Sequence, residues 1–161
     1  MACNYGRTYR LAWSLLLGLL AGCAGPAAQQ PQPEPVQSNP ELAKEFATQG
    51  QLAFEQGRRN AAAEAWQRAV ELDPGNAVVV NNLALLMKDQ HRFADAVTLL
   101  ERGIARSPEV AELHFNLAVI AELYLLDLDK ALAHYERYQA LTEEDDKLVA
   151  GWIADLERRL E

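Results

Sequence analysis

Cysteine, positive charge and long apolar runs are all scarce in this 161-residue chain. The only thiols are Cys3 and Cys23, so no disulfide framework and no Cys-rich zinc cluster can organise it. Lys and Arg number 15 against 23 Asp and Glu, a formal charge of -8, which argues against nucleic acid and anionic surfaces because both require basic patches. The longest uncharged apolar stretch, Leu11 to Ala21, falls short of the roughly 20 residues a membrane-spanning helix needs. His91, His114 and His134 share no i, i+4 spacing, so they read as structural or solvent-exposed and not as metal ligands. The acidic run Glu143-Glu144-Asp145-Asp146 lacks the glycine and alternating oxygen ligands of a calcium loop and reads as a helix start. A Gly-rich phosphate loop, a nucleophile elbow and a zinc motif are all missing. The reading is a protein that is not an enzyme, needing no metal.

What is present begins with a leader. Arg7 and Arg10 precede Leu11 to Ala21, the layout of a secretory signal that is removed. The sequence Leu20-Ala21-Gly22-Cys23 that ends it resembles the lipobox of bacterial lipoproteins. The resemblance implies a signal peptide over 1–22, cleavage before Cys23 and lipidation of Cys23 by three acyl chains, with no other cofactor. Lipid contributes about 0.8 kcal/mol per buried CH₂, and stable anchoring takes more than one chain. The rival readings of Cys23 are a buried small side chain or half of a Cys3–Cys23 disulfide. Ala24 after the cysteine resembles outer-membrane sorting, which implies an outer-membrane anchor facing the periplasm. Cleavage removes Arg7 and Arg10 and no acid, so the mature charge becomes -10, and about 140 residues remain, the size of one domain.

Residues 23–40 read as a tether. Pro26, Pro31, Pro33, Pro35 and Pro40 alternate with Gln29, Gln30, Gln32 and Gln37, which fixes φ, removes donors and offers little to bury. At ~3.1 Å per residue, the stretch after Cys23 reaches roughly 50 Å in a polyproline conformation.

From residue 41 to 161 the composition is that of helices, with apolar residues at helical spacing. Asn82-Leu83-Ala84 recurs as Asn116-Leu117-Ala118 and Pro74 as Pro108, each 34 residues on. That period resembles the tetratricopeptide repeat (TPR), a helix-turn-helix unit. The resemblance implies an all-α TPR solenoid of about three helix-turn-helix repeats over 43–76, 77–110 and 111–143, plus a C-terminal capping helix over 143–160. Repeat one carries Gly50, Ala62, Trp66, Ala69 and Pro74, with Phe46 and Gln49 departing from the usual residues. Repeat two carries Leu83, Ala84, Ala96, Leu100 and Pro108, with Gly103 for the late alanine, and helices near Ala77–Asp89 and Phe93–Arg106. Repeat three aligns Ala131, Tyr135 and Tyr138 only after one inserted residue, near Leu125 to Asp129. Small residues at Gly50, Ala84 and Ala118 let helices approach while Trp66, Leu100 and Tyr135 fill the space.

Local signals place the boundaries. Asn76 after Asp73-Pro74-Gly75 reads as an N-cap, and Ser107-Pro108 as a serine cap followed by a first-turn proline. Thr142 and Asp145 have capping-box spacing at the start of the last helix, whose apolar face reads as Leu148, Trp152, Ile153, Leu156 and Leu160. The rival reading leaves Trp152 exposed as part of a docking surface.

In TPR proteins the concave face is lined by the first helix of each repeat, which implies a partner-binding groove. Its candidates are Lys44, Ala47, Thr48, Gln51 and Phe54 in repeat one; Val78, Asn81, Asn82, Leu85 and Lys88 in repeat two; and Glu112, Phe115, Asn116, Val119 and Glu122 in repeat three. Asn82 and Asn116, one repeat apart, either hydrogen-bond an extended ligand's main chain or link neighbouring repeats. Chaperone-binding TPR domains hold terminal carboxylates in a basic clamp, which Glu112 and Glu122 replace here. The resulting expectation is a membrane-anchored periplasmic scaffold. It would recruit an envelope protein or peptide segment, in a pilus/secretin or peptidoglycan-enzyme assembly, and would bind no nucleic acid. A homo-oligomer formed by stacking solenoid ends is the alternative. A small-molecule carrier rests only on the apolar pair Phe54 and Phe115.

Overall fold

A computed structural model describes residues 37–142 and 146–161. The leader, Cys23, most of the tether and Asp145 lie outside the described residues. Seven α-helices follow in order: α1 Pro40–Glu55, α2 Arg59–Leu72, α3 Ala77–Asp89, α4 Phe93–Ile104, α5 Ala111–Ile120, α6 Leu128–Leu141 and α7 Lys147–Leu160, with a π-helical turn, Ala121–Leu125, after α5. No strand occurs among the described residues. The fold is an all-α TPR solenoid, and it buries one apolar stripe per helix between successive layers.

Helix α1 is capped by Asn39. Its side chain accepts from the Leu42 N–H at 3.1 Å, its own N–H donates to the Leu72 carbonyl at 3.0 Å, and Pro40 takes the first helical position, where a missing N–H costs nothing. Pro40 therefore opens α1 instead of ending a tether.

The small-residue positions work as contacts. A Cβ on buried Gly50 would overlap the Trp66 indole, and one on Gly103 would sit 2.6 Å from Val80 Cγ1. Trp66 is 2% exposed, and its indole N–H donates to the Ala47 carbonyl at 3.3 Å, so the polar end of the ring is satisfied. Leu100 and Tyr135 are buried in the corresponding places.

Each turn inside a helix pair has one residue in the left-handed region: Gly57 at φ 74°, His91 at 60° and Leu126 at 57°. The second interval is one residue longer than the first, and the π-helical turn explains it. The extra residue of repeat three widens the end of α5 into Ala121–Leu125, with the Asp127 N–H donating to the Ala121 carbonyl at 3.0 Å. Such single π turns absorb insertions inside helices. The widened turn lays Tyr124 on Phe93, ring centroids 4.3 Å apart.

Three local expectations need correction. Asn76 does cap α3, accepting from the Val79 N–H at 3.2 Å, but Ser107 caps nothing: α5 starts at Ala111 after Val110. The Ser107 hydroxyl instead donates to the Gly75 carbonyl at 3.1 Å, joining two inter-repeat turns. Thr142 is the C-cap of α6, its hydroxyl donating back to the Tyr138 carbonyl at 3.2 Å, while Asp146 caps α7 by accepting from Leu148 and Val149. The buried face of α7 is Val149, Ile153 and Leu156; Leu148 is 71% exposed and Leu160 38%. Val149, not Leu148, starts the stripe, because Val149, Ile153 and Leu156 share an i, i+4, i+7 face and Leu148 lies about 100° round the helix from Val149.

Candidate functional site

The first helices of the repeats, α1, α3 and α5, form a concave wall, and α7 continues it. Two contacts fix how α7 lies. Phe115 meets Trp152 at 6.3 Å between ring centroids, and Arg159 donates to Glu122 at 3.2 Å. Both pairs are 37 positions apart, so α7 runs parallel to α5 at constant register, where the first helix of a fourth repeat would lie. Phe115–Trp152 thus repeats, one helix on, the link that joins α3 to α5, in which the Asn116 amide donates to the Asn81 side-chain oxygen at 2.7 Å. The groove has four walls instead of three.

Its first junction is a cleft of about 250 Å³ lined by Gln51, Phe54, Trp66, Asn82, Leu85, Leu86 and Asp89. Phe54 leans on Trp66, centroids 5.5 Å apart, and remains 39% exposed. Half-buried Asn82 has no hydrogen-bond partner among the described side chains, so its amide offers donors and an acceptor to a ligand. The amide pair formed within the fold is Asn81–Asn116, and the structure does not join Asn82 to Asn116. That places Asn81 and Asn116 in repeat-to-repeat bonding and leaves Asn82 as the free amide.

The other candidates divide similarly. Thr48 donates to the Lys44 carbonyl at 2.9 Å and Gln51 to Glu55 at 2.8 Å, so both polar groups are engaged along α1. Lys88 lies 3.4 Å from Asp89, and Val78 is 69% exposed. Ala47 and Val119 are half-buried at the wall, and Ala47 contributes the carbonyl that holds Trp66. Glu112 is exposed with no ion pair among the described residues. Glu122 is held by Arg159 and by the Tyr135 hydroxyl, which donates at 3.2 Å. Burial, then the Glu122 carboxylate, raises the Tyr135 pKa well above the ordinary phenol range.

Sequence reasoning missed Asp89 and Arg159 as parts of this wall, and gave Trp152 there only as the rival to a cap reading. Trp152 carried a signal, its position on an amphipathic helix, but a cap reading assigns its ring to the core. The ring is 40% exposed and lies 5.5 Å from the ring of Tyr135.

Also missed was the pairing of His114 and His134, 20 residues apart on α5 and α6, whose Nδ1 atoms lie 2.9 Å apart. His114 Nε2 is 3.1 Å from the Pro108 carbonyl, which must accept. His114 therefore carries its proton on Nε2, and His134 donates from Nδ1. Burial lowers both pKa values; the neighbouring His114 lowers that of His134 further, and Arg137 that of His114. The pair is a structural bond, and no group of three metal-ligating side chains occurs among the described residues.

The tetratricopeptide repeat model matches residues 53–123. The chain is 32% identical over 117 residues to the Hsp70-Hsp90 organizing protein of Triticum aestivum, spanning 73% of this chain and 20% of that one. It is 27% identical over 101 residues to Tetratricopeptide repeat protein 33 of Xenopus laevis, 63% of this chain and 39% of that one. The chain thus spans a minor part of these relatives. Among solved structures it resembles the first TPR of Spaghetti (RPAP3) bound to the HSP90 peptide SRMEEVD, with TM-score 0.67 and 20% identity over 78% of this chain and 98% of that one. It also resembles the Yersinia enterocolitica type III secretion chaperone SycD in complex with a peptide of the translocator YopD, with TM-score 0.65 and 13% identity over 76% and 98%.

Proposed function

We propose that this protein is a non-enzymatic scaffold, lipid-anchored through Cys23 at the outer membrane, that holds a segment of another periplasmic envelope protein in its concave groove. The observation that carries the binding reading is the cleft between α1 and α3, where a half-buried amide without a partner, Asn82, stands beside exposed Phe54 and half-buried Leu85. No buried side-chain polar atom among the described residues lacks a partner, so the Asn82 amide is left to water in the unbound fold, and an extended peptide's main chain supplies direct partners in its place. Peptide-bound neighbours with the same fold support the reading. A pilus/secretin or peptidoglycan-enzyme assembly is the setting we favour.

Solenoid-end stacking has less support. At the α5–α7 register, the buried Leu117, Ala118 and Ala121 map onto Ala154, Asp155 and Arg158, so the end that a second copy would cover is polar. Terminal repeats need such a face for solubility.

The test compares wild type with an Asn82→Ala/Leu85→Glu variant of matched melting temperature in pull-downs from crosslinked envelopes. Loss of one specific envelope protein is expected; an unchanged partner set moves binding off the groove. Replacing Cys23 by alanine is expected to leave uncleaved precursor, and normal processing in that variant overturns the anchor.

A further inference from the structure

The two ends of the groove differ in chemistry. At the α1–α3 junction the free groups are an amide and apolar surface. At the α5–α7 junction they are the exposed Trp152 ring and a carboxylate. There Phe115 lies 5.1 Å from Tyr138 and 6.3 Å from Trp152 between ring centroids. Trp152 is 40% exposed, with Leu148 71% exposed one turn before it. Glu112, one turn before Phe115 on the same face of α5, comes level with Leu148 and Val149 in the parallel register of the two helices. Its carboxylate has no ion pair among the described residues, whereas nearby Glu122 is already neutralised by Arg159. An aliphatic ledge, the exposed Trp152 ring and one unspent carboxylate suit a long cationic side chain: the stem covers apolar surface, the charge meets the indole face and the head reaches the carboxylate.

We propose that the α5–α7 junction receives a Lys or Arg side chain of an extended segment whose apolar residue fills the α1–α3 cleft. The inference rests on the groove reading above and adds the ligand's charge. Packed helix axes lie about 8–10 Å apart, and α1 and α3, like α5 and α7, pack less closely than α3 and α5, so the two junctions are separated by at least roughly 16–20 Å, the span of about five or more extended residues. The segment therefore pairs an apolar residue with a basic one about five or more positions away. This is the opposite charge preference to the acidic peptide SRMEEVD held by the RPAP3 domain, and it complements a chain whose formal charge is -8.

The probe is a phage-displayed library of random dodecapeptides, selected on the full chain. Each enriched peptide is then measured against wild type, Trp152→Leu, Glu112→Gln and Leu85→Glu proteins whose melting is matched. Peptides enriched in Lys or Arg about five or more positions from an apolar residue are expected. Their affinity is expected to fall about threefold to thirtyfold in Trp152→Leu, to fall in Glu112→Gln and to weaken at raised salt. Peptides without basic enrichment, or with acidic enrichment, that still lose binding in Leu85→Glu would overturn the cation site and leave the groove reading standing. Peptides indifferent to all three substitutions, or no enrichment at all, would overturn both.

Discussion

Alanine at two helical glycines should act with opposite signs. Gly50 lies buried inside α1, and its Cβ would land on the Trp66 indole. That ring cannot swing aside, because its N–H is bonded to the Ala47 carbonyl and its face carries Phe54. Replacing a mid-helix glycine by alanine gains about 1 kcal/mol of helix propensity, while overpacking a core costs about 1–3 kcal/mol. With the ring pinned, the clash wins, and Gly50→Ala is expected to lose about 1–2 kcal/mol. Gly151 sits inside α7 with no atom within 4 Å of its would-be Cβ, so Gly151→Ala keeps the propensity gain, about 0.5–1 kcal/mol. Thermal melts followed by circular dichroism should separate the two variants by roughly 6–12 °C, taking about 4 °C per kcal/mol for a domain of this size. A Gly50→Ala protein melting at or above wild type would refute the claim that close approach of α1 to Trp66 organises the first repeat. A Gly151→Ala protein with no gain would show that α7 is packed on the side described as open.

Further outcomes follow from the turns and the histidine pair. Leu126→Gly is expected to stabilise by about 1 kcal/mol in urea unfolding, because leucine at φ 57° pays a left-handed penalty that glycine avoids; a loss would mean that Leu126 makes contacts at this turn. Asp146→Ala is expected to cost about 1 kcal/mol as a lost N-cap, whereas a Thr142→Ala protein should keep α7 intact, as hydrogen exchange of the α7 amides would report. Burial depresses the pKa of both His114 and His134 below the ordinary 6.5. The unfolded chain then binds more protons, and stability present above about pH 6.5 is lost as pH falls through that value toward the folded pKa values. Replacing His134 by glutamine should flatten the melting-temperature slope between pH 7 and pH 5; an unchanged slope would remove the pair as its source.

The repeat period carried most of the fold, because each helix pair reuses the same small and large positions. Asn82 and Asn116 mark the 34-residue interval, and Trp66, Leu100 and Tyr135 occupy matching buried places. Where sequence reasoning failed, two local solutions competed. Ser107 looks like a cap from its neighbours, yet its hydroxyl finds the Gly75 carbonyl, a residue 32 positions away that no local pattern can reveal. The inserted residue in repeat three was visible as a misalignment, but only the backbone shows it as a π turn ending at a left-handed Leu126. Within the groove, Asn81, Asn82 and Asn116 were all legible as candidate amides, with Asn82 and Asn116 singled out by the repeat. Which is free and which is bonded depends on Asn81, whose side chain reaches Asn116 first. Trp152 belongs to the wall because α7 runs in register with α5, a relation set by the Phe115 and Glu122 contacts and not by amphipathicity.

The central claim, that a partner lies in the concave groove, is tested most directly by photocrosslinking in the producing cell from single positions. A photoreactive residue would be placed at Leu85 or Trp152 on the concave wall and at Arg68 or Thr98, exposed on the second helices of repeats one and two. The account predicts one common crosslinked protein from Leu85 and Trp152 and none from Arg68 or Thr98. Crosslinks confined to Arg68 and Thr98, or equal from all four positions, would contradict it.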